Sequence, residues 1–188
     1  MIFASNNAGK LKEVKEIFKD YEIYSLKEKN INIDVVEDGA TFYENALKKA
    51  KEIYKLTHEP VIADDSGLCI KALEGFPGVL THRFLGDNAT DEDRNVEPIN
   101  RVKSLEDKTA TVECNIVYYD GNTTLVGLGI LCGKIVNSPR GTNGFGFDPI
   151  FELNNGKTLA ELTFEQKNEV SARRLALDDL LKKLKSSL

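Results

Sequence analysis

Cysteine is scarce in this sequence. The three present, Cys69, Cys114 and Cys132, are an odd number without metal-ligand spacing, and each lies in an apolar stretch. This speaks against zinc, redox or nucleophilic roles and predicts three reduced, buried thiols. Long apolar runs are missing too, so no segment reads as a membrane span and no membrane partner is expected. The start, Met1-Ile2-Phe3-Ala4-Ser5, runs directly into polar residues without a basic-then-apolar secretion signal, which makes the cytoplasm the expected compartment. Positive charge is in short supply: 25 Lys and Arg stand against 30 Asp and Glu, a net charge of −5. A general nucleic-acid binder needs a basic footprint to neutralise phosphates, so that class is excluded. A polyanionic ligand would need the positive charge gathered in one place and assisted by a metal. Internal repeats, low-complexity segments, a Walker A loop and a GxGxxG fingerprint are all absent. Any phosphate grip must be built another way.

What is present is an ordinary globular composition over 188 residues, 41% hydrophobic and 29% charged. It predicts one domain over residues 1–188, with two lobes around a cleft. The chain opens as strand, turn, helix: an apolar run at Ile2 to Ser5, a turn at Asn6-Asn7-Ala8-Gly9, then Leu11, Val14, Ile17 and Phe18 at helical spacing. Lys12, Glu13, Lys15 and Glu16 read as the solvated face of that helix. Glu22 to Leu26 and Ile33 to Val36 read as short strands. Thr41 and Glu44 form a capping-box pair before the stripe Phe42, Ala46, Ala50 and Ile53. Pro60 to Ala63 reads as a buried strand stopping at Asp64-Asp65-Ser66-Gly67, with extended structure resuming at Leu68. Thr90 to Leu105 reads as helix, interrupted or begun by Pro98. Two β-rich runs, 109–119 and 124–136, meet at the turn Asp120-Gly121-Asn122. The last segment is an amphipathic helix with Val170, Leu177, Leu180, Leu181 and Leu184 on one face. Helices and strands alternating early, with an antiparallel section later, predict an α/β fold with a mixed sheet.

Several short segments carry candidate chemistry. Ser5-Asn6-Asn7-Ala8-Gly9-Lys10 lies at a helix N-terminus, where free backbone N–H groups and the helix dipole favour a phosphate; taken alone, the segment reads first as a plain turn capped by Asn7 with Lys10 in solvent. In Asp64-Asp65, at the end of a strand, alternation sends the two side chains to opposite faces. One carboxylate can then hold Mg²⁺ or orient water while the other bonds to the scaffold; an Asx-type turn is the alternative. Glu37 is either a second oxygen ligand or a surface loop acid. Lys49 lies beside the apolar stripe and shares a helix face with Asn45, so it snorkels or reaches a cleft. In Gly144-Phe145-Gly146-Phe147-Asp148 the aromatics either stack on a base, worth roughly 1–3 kcal/mol, or fill the core. Lys167 and Arg173 bracket the start of the last helix, where a cation opposes the dipole and an anionic partner would relieve it; plain surface charge is the default reading.

In order and spacing, Ser5-x-Asn7-x-x-Lys10, Glu37-x-Gly39-x-Thr41-Phe42-x-Glu44-Asn45-Ala46, Ala63-Asp64-Asp65-Ser66-Gly67-Leu68, Pro77-Gly78-Val79, Phe145-Gly146-Phe147-Asp148-Pro149 and Lys167 with Ser171-x-Arg173 resemble the inosine triphosphate pyrophosphatase family, also called Ham1-like. The resemblance runs from the first strand to the last helix. It implies an elongated α/β fold with a long mixed sheet, flanking helices and a deep cleft between two lobes, related to that of the Maf-like pyrophosphatases. It implies a homodimer that cleaves ITP, dITP and XTP to the monophosphate and pyrophosphate with Mg²⁺, clearing them from the nucleotide pool. It further implies a phosphate loop at Ser5, Asn6, Asn7, Ala8, Gly9 and Lys10, assisted by Lys49. Metal ligands fall on Glu37 and Asp65, with Asp65 also the acceptor of the water proton. Substrate contacts fall on Ser66, Phe145, Gly146, Phe147, Asp148, Lys167 and Arg173, with Phe145 against the purine and Arg173 near its 6-oxo group. One position departs: Ala172 stands where the family has histidine, and His82 offers an imidazole from another loop. Two competing readings are a Maf-like enzyme for other modified nucleotides and a non-catalytic nucleotide-binding module.

Overall fold

The computed structural model describes residues 1–86 and 88–187. Its strands are β1 (Ile2–Phe3), β2 (Tyr24–Ser25), β3 (Val61–Ile70), β4 (Thr109–Tyr119), β5 (Thr124–Ile135) and β6 (Phe151–Glu152). Its α-helices are α1 (Ala8–Ile17), α2 (Phe42–Thr57), α3 (Asp91–Val102), α4 (Phe164–Val170) and α5 (Ala172–Ser187). The strands form one sheet in the order β2-β1-β3-β4-β5-β6. β1 runs parallel to both β2 and β3, whereas β5 and β6 are antiparallel, so the sheet is mixed as expected. No described helix is long and apolar enough to cross a membrane.

The chain divides into two compact units: Met1–Asp65 with Cys114–Gly129 and Ala172–Leu188, and Ser66–Glu113 with Ile130–Ser171. In the first unit, Ile2, Ala4, Leu26, Ala46, Ala50, Ile53, Val61, Ala63 and Val117 form a continuous core. Each Ile or Val fully buried there contributes roughly 1.5–3 kcal/mol. Helix α2 supplies a face of it for local reasons. Glu44 accepts from the backbone N–H of Thr41 while the Thr41 hydroxyl accepts from that of Glu44, closing the expected capping box. Phe42, Ala46, Ala50 and Ile53 then fall on the buried side.

Helix α5 approaches β5 closely because β5 carries glycine there. A Cβ on Gly129 would lie 1.9 Å from the carbonyl oxygen of Ala172, and one on Gly127 would lie 2.1 Å from that of Ala176. The buried face of α5 is Ala172, Arg173, Ala176, Leu177, Leu180 and Leu184. Expected as one helix from Val170 onward, this segment breaks at Ser171, whose extended backbone ends α4 and leaves Val170 partly exposed.

Other expectations need correction. β3 does not stop at Asp64 but runs unbroken to Ile70, because both aspartates find partners inside the fold. Ile33 to Val36 forms no strand; without a partner strand, Ile33 and Val36 stay exposed. α3 continues through Pro98, which removes the usual i+4 donor to the Arg94 carbonyl without ending the helix. Glu13 is buried rather than solvated. Only Cys114 is fully buried; Cys69 is half-buried, and Cys132 is exposed on the side of β5 that also carries Leu128 and Ile130. Burial pushes the Cys114 thiol up to about 12 and that of Cys69 up to about 11, so both stay protonated.

Candidate active site

The first unit carries two polar clusters, built from neighbouring residues of β3. At the N-terminus of α1 the Asn7 side chain caps the helix, accepting from the Lys10 N–H at 3.0 Å. The Ser5 hydroxyl accepts from the Asn7 N–H at 3.1 Å, and the Asn6 side chain accepts from the Lys27 N–H at 3.0 Å. Asn6, Asn7 and Ala8 are exposed, and helix geometry leaves the amides of Ala8 and Gly9 without intrahelical acceptors. This turn can therefore receive an anion. The Lys10 ammonium lies 3.1 Å from Oδ2 of Asp64, a fully buried carboxylate. Nε and Nη2 of Arg173 each donate to that same oxygen at 3.1 Å, and Nη1 donates to Oε2 of Glu13 at 2.7 Å. Arg173 thus ties the start of α5 to β3 and α1.

Asp65, the next residue along β3, takes different partners, as strand alternation requires. Its Oδ2 accepts from Nδ2 of Asn45 on α2 at 2.8 Å. The Asn45 carbonyl oxygen accepts in turn from the Gly39 N–H at 2.8 Å. This one buried amide therefore couples the strand aspartate to the loop that carries Glu37. A side chain at Gly39 would collide with it, since a Cβ there would lie 2.7 Å from Oδ1 of Asn45. Lys49, one turn after Asn45, pairs through Nζ with Oε1 of Glu37.

The charges decide which carboxylate does what. Burial alone would raise Asp64, but Lys10, Arg173 and Lys49 overcome it and hold this carboxyl well below the usual range. Asp64 is thus a permanent anion. Asp65 goes the other way, pushed up to about 6, chiefly by burial and also by Glu37 and Asp64; Lys49 and Asn45 offset this only in part. Burial would lower Lys49, yet Asp64, Glu37 and Asp65 together raise it, so it stays protonated. Arg173 remains charged in the same way, its desolvation outweighed by Asp64 and Glu13.

The predicted metal ligands are hard oxygen donors. The negative charge of Glu37 helps to raise Asp65, and both carboxylates act on Lys49. Among the described residues no three His, Cys, Asp or Glu side chains gather as a metal cage. Two carboxylates match the way Mg²⁺ is commonly held, with water and substrate phosphates completing the shell.

In the second unit, a loop folds around the buried Asp148. Its Oδ2 accepts from the Phe145 N–H at 2.8 Å and from Nζ of Lys167 at 2.5 Å. The Lys167 ammonium also lies 4.2 Å from the centroid of the Phe145 ring. Gly144 has φ +78, and a Cβ there would meet Asp148 at 2.0 Å, so this turn requires glycine. Phe145, Gly146 and Phe147 are partly exposed. Ser66, which follows Asp65 along β3, is buried in this unit. His82 lines a small pocket together with Phe84, Arg94, Asn95 and Phe147.

Within the first unit the structure brings together Lys10 with Arg173, and Asp65 with Lys49 and Glu37. Within the second it brings together Phe145, Asp148 and Lys167. Sequence reasoning missed Asn45 as the residue that orients Asp65; a polar residue beside a buried stripe was the available signal. Glu13 gave no such signal, because its partner lies 160 positions away.

Comparison with known proteins places this geometry in context. Residues 1–183 match the model of the Ham1 family. A dITP/XTP pyrophosphatase of Geobacter sulfurreducens is 43% identical over 183 residues, covering 94% of this chain and 92% of the relative. A dITP/XTP pyrophosphatase of Thermoanaerobacter sp. is 42% identical, with 99% and 94% covered. The solved structure of the Staphylococcus aureus Ham1 protein superposes with a TM-score of 0.91 at 39% identity, covering 100% of this chain and 98% of that one.

Proposed function

Because this chain belongs to the Ham1 family, we propose that it hydrolyses dITP, XTP and ITP to the monophosphate and pyrophosphate, with Mg²⁺, and so removes them from the nucleotide pool. The observation that carries this reading is Asp65: a carboxylate raised to about 6, oriented by Asn45, with Lys49 close by. Such a group is ionised at neutral pH yet more basic than an ordinary aspartate, which suits it to accept a proton from an attacking water. Lys10 and Lys49 supply positive charge for the phosphates, and the anionic Asp64 keeps Lys10 in place. Glu37 and Asp65 would hold Mg²⁺, which when bound polarises a phosphoryl oxygen and helps neutralise the triphosphate. The chain's own task is then to bind, align and deprotonate. The loop of Phe145 presents an aromatic face suited to stacking on a purine.

A pyrophosphate-release assay over ITP, dITP, XTP, dUTP, a methylated UTP and the four standard nucleotides, with and without Mg²⁺, tests the reading. Strong turnover of the 6-oxopurines only with Mg²⁺ is expected. Preference for modified pyrimidines would favour a Maf-like activity, and ITP binding without release would favour a non-catalytic module. A homodimer is the proposed assembly, supported by the exposed Leu128 and Ile130 on β5; sedimentation at monomer mass would refute it.

A further inference from the structure

The loop carrying Phe145 is gripped by a helix that the proposed chemistry does not otherwise use. Oδ2 of Asp91 accepts from the Gly146 N–H at 2.9 Å, and Nδ2 of Asn95 donates to the Gly146 carbonyl oxygen at 2.8 Å. Asp91 and Asn95 are four apart on α3, hence on one face and about 6 Å apart along the axis. An ionised aspartate only accepts and the amide nitrogen of asparagine only donates, so the pair matches the two polar groups of a single residue. The placement suits both: Asp91 opens the helix, where the dipole favours a negative charge, and Asn95 is buried, where an unbonded amide would be costly.

Together with Asp148, this pair holds three consecutive peptide groups. Asp148 takes the N–H of Phe145, Asp91 the N–H of Gly146, and Asn95 the C=O of Gly146. Gly146 has φ +61 and no side chain, so its conformation depends on these backbone partners. Release of the clamp would free the backbone on the C-terminal side of the Phe145 ring.

We infer that Asp91 and Asn95 are positioning residues for nucleobase recognition, acting by clamping Gly146 and thereby fixing the face of Phe145. The inference rests on the proposed role of Phe145 against the purine, and its test keeps the two claims separate. Amide hydrogen exchange of the full chain without nucleotide reads the clamp itself. Asp91→Ala should speed exchange at Gly146 by about tenfold or more, while Asp91→Asn, which keeps an acceptor oxygen, retains protection. In kinetics, Asp91→Ala should raise KM for dITP and XTP about fivefold with kcat little changed, as loss of one hydrogen bond implies. Inhibition by tripolyphosphate, which has no base, should not change. Asn95→Ser, which shortens the donor while keeping it polar, should behave like Asp91→Ala. Unaltered exchange at Gly146 would overturn the clamp. Faster exchange with unchanged KM, or equal losses for dITP and tripolyphosphate, would overturn the positioning role. If the wild-type chain releases no pyrophosphate, the functional reading fails; calorimetric dITP affinity then takes the place of KM, and the inference stands only if Asp91→Ala weakens it about fivefold.

Discussion

Replacing Asp65 by asparagine should remove activity and at the same time stabilise the fold. The folded carboxyl titrates near 6 against an ordinary value of 3.8, so the native state holds this proton more tightly than the unfolded chain does. A raised pKa gives stability that is fully present below about pH 4 and is lost as pH rises through 6. At pH 8 the ionised carboxylate therefore costs about 3 kcal/mol relative to the neutral form, at 1.36 kcal/mol per unit. Asparagine keeps the shape and can still accept from Asn45, but it withdraws one of the three anions that support Lys49. Allowing for that loss, a net gain of roughly 1–2 kcal/mol remains, or a Tm about 2–8 °C higher for a chain of this size. Thermal melts of both proteins, in chelator at pH 4 and pH 8, read this directly, and pyrophosphate release from dITP is followed alongside. The Tm advantage of the variant should appear at pH 8 and shrink at pH 4, with turnover reduced at least about 10²-fold. An equal or lower Tm at pH 8, or near-normal turnover, would refute the reasoning from desolvation to base.

Other consequences are as direct. In wild type, kcat/KM should climb with pH to a plateau, on a limb with pKa near 6 or lower once a cation is bound; a limb above 7 would exclude Asp65 as the base. Gly129→Ala drives a methyl into the Ala172 carbonyl and should cost about 1–3 kcal/mol or more, seen as a lowered urea midpoint, and an unchanged midpoint would mean that α5 sits farther from β5. Arg173→Met takes the guanidinium from the buried Glu13 and leaves the buried Asp64 with Lys10 as its remaining ion pair, and should destabilise by about 3–5 kcal/mol. Glu13→Gln, which leaves Arg173 and Asp64 paired, should cost less; the reverse order in denaturant melts would contradict the network.

Legibility followed the range of the interaction. The Thr41–Glu44 capping box and the stripe of α2 depend on residues within a few positions, and the structure holds them as expected. The same is true of Asn7 at the start of α1. Strand β3 was harder to read, since two adjacent aspartates look like a strand end until Lys10, Asn45 and Arg173 are brought to them. Glu13 has the spacing of a solvated residue and becomes buried only because Arg173 arrives from the far end of the chain. Cys132 sits in an apolar run yet faces outward, because sheet alternation and the docking of α5 select the other face of β5.

The sequence by itself determined the α/β class, the order of most segments and the family. Local periodicity and capping encode elements, and an ordered set of short motifs is enough to mark a family. The tertiary structure decided the charge states. Asp64 and Asp65 are chemically identical and adjacent, and no local rule separates them. Burial acts on both, but Lys10 and Arg173 reach Asp64, whereas Asp65 faces Asn45 with Lys49 and Glu37 close by. One aspartate thereby becomes a fixed anion, and the other keeps the raised pKa that its proposed role as base requires.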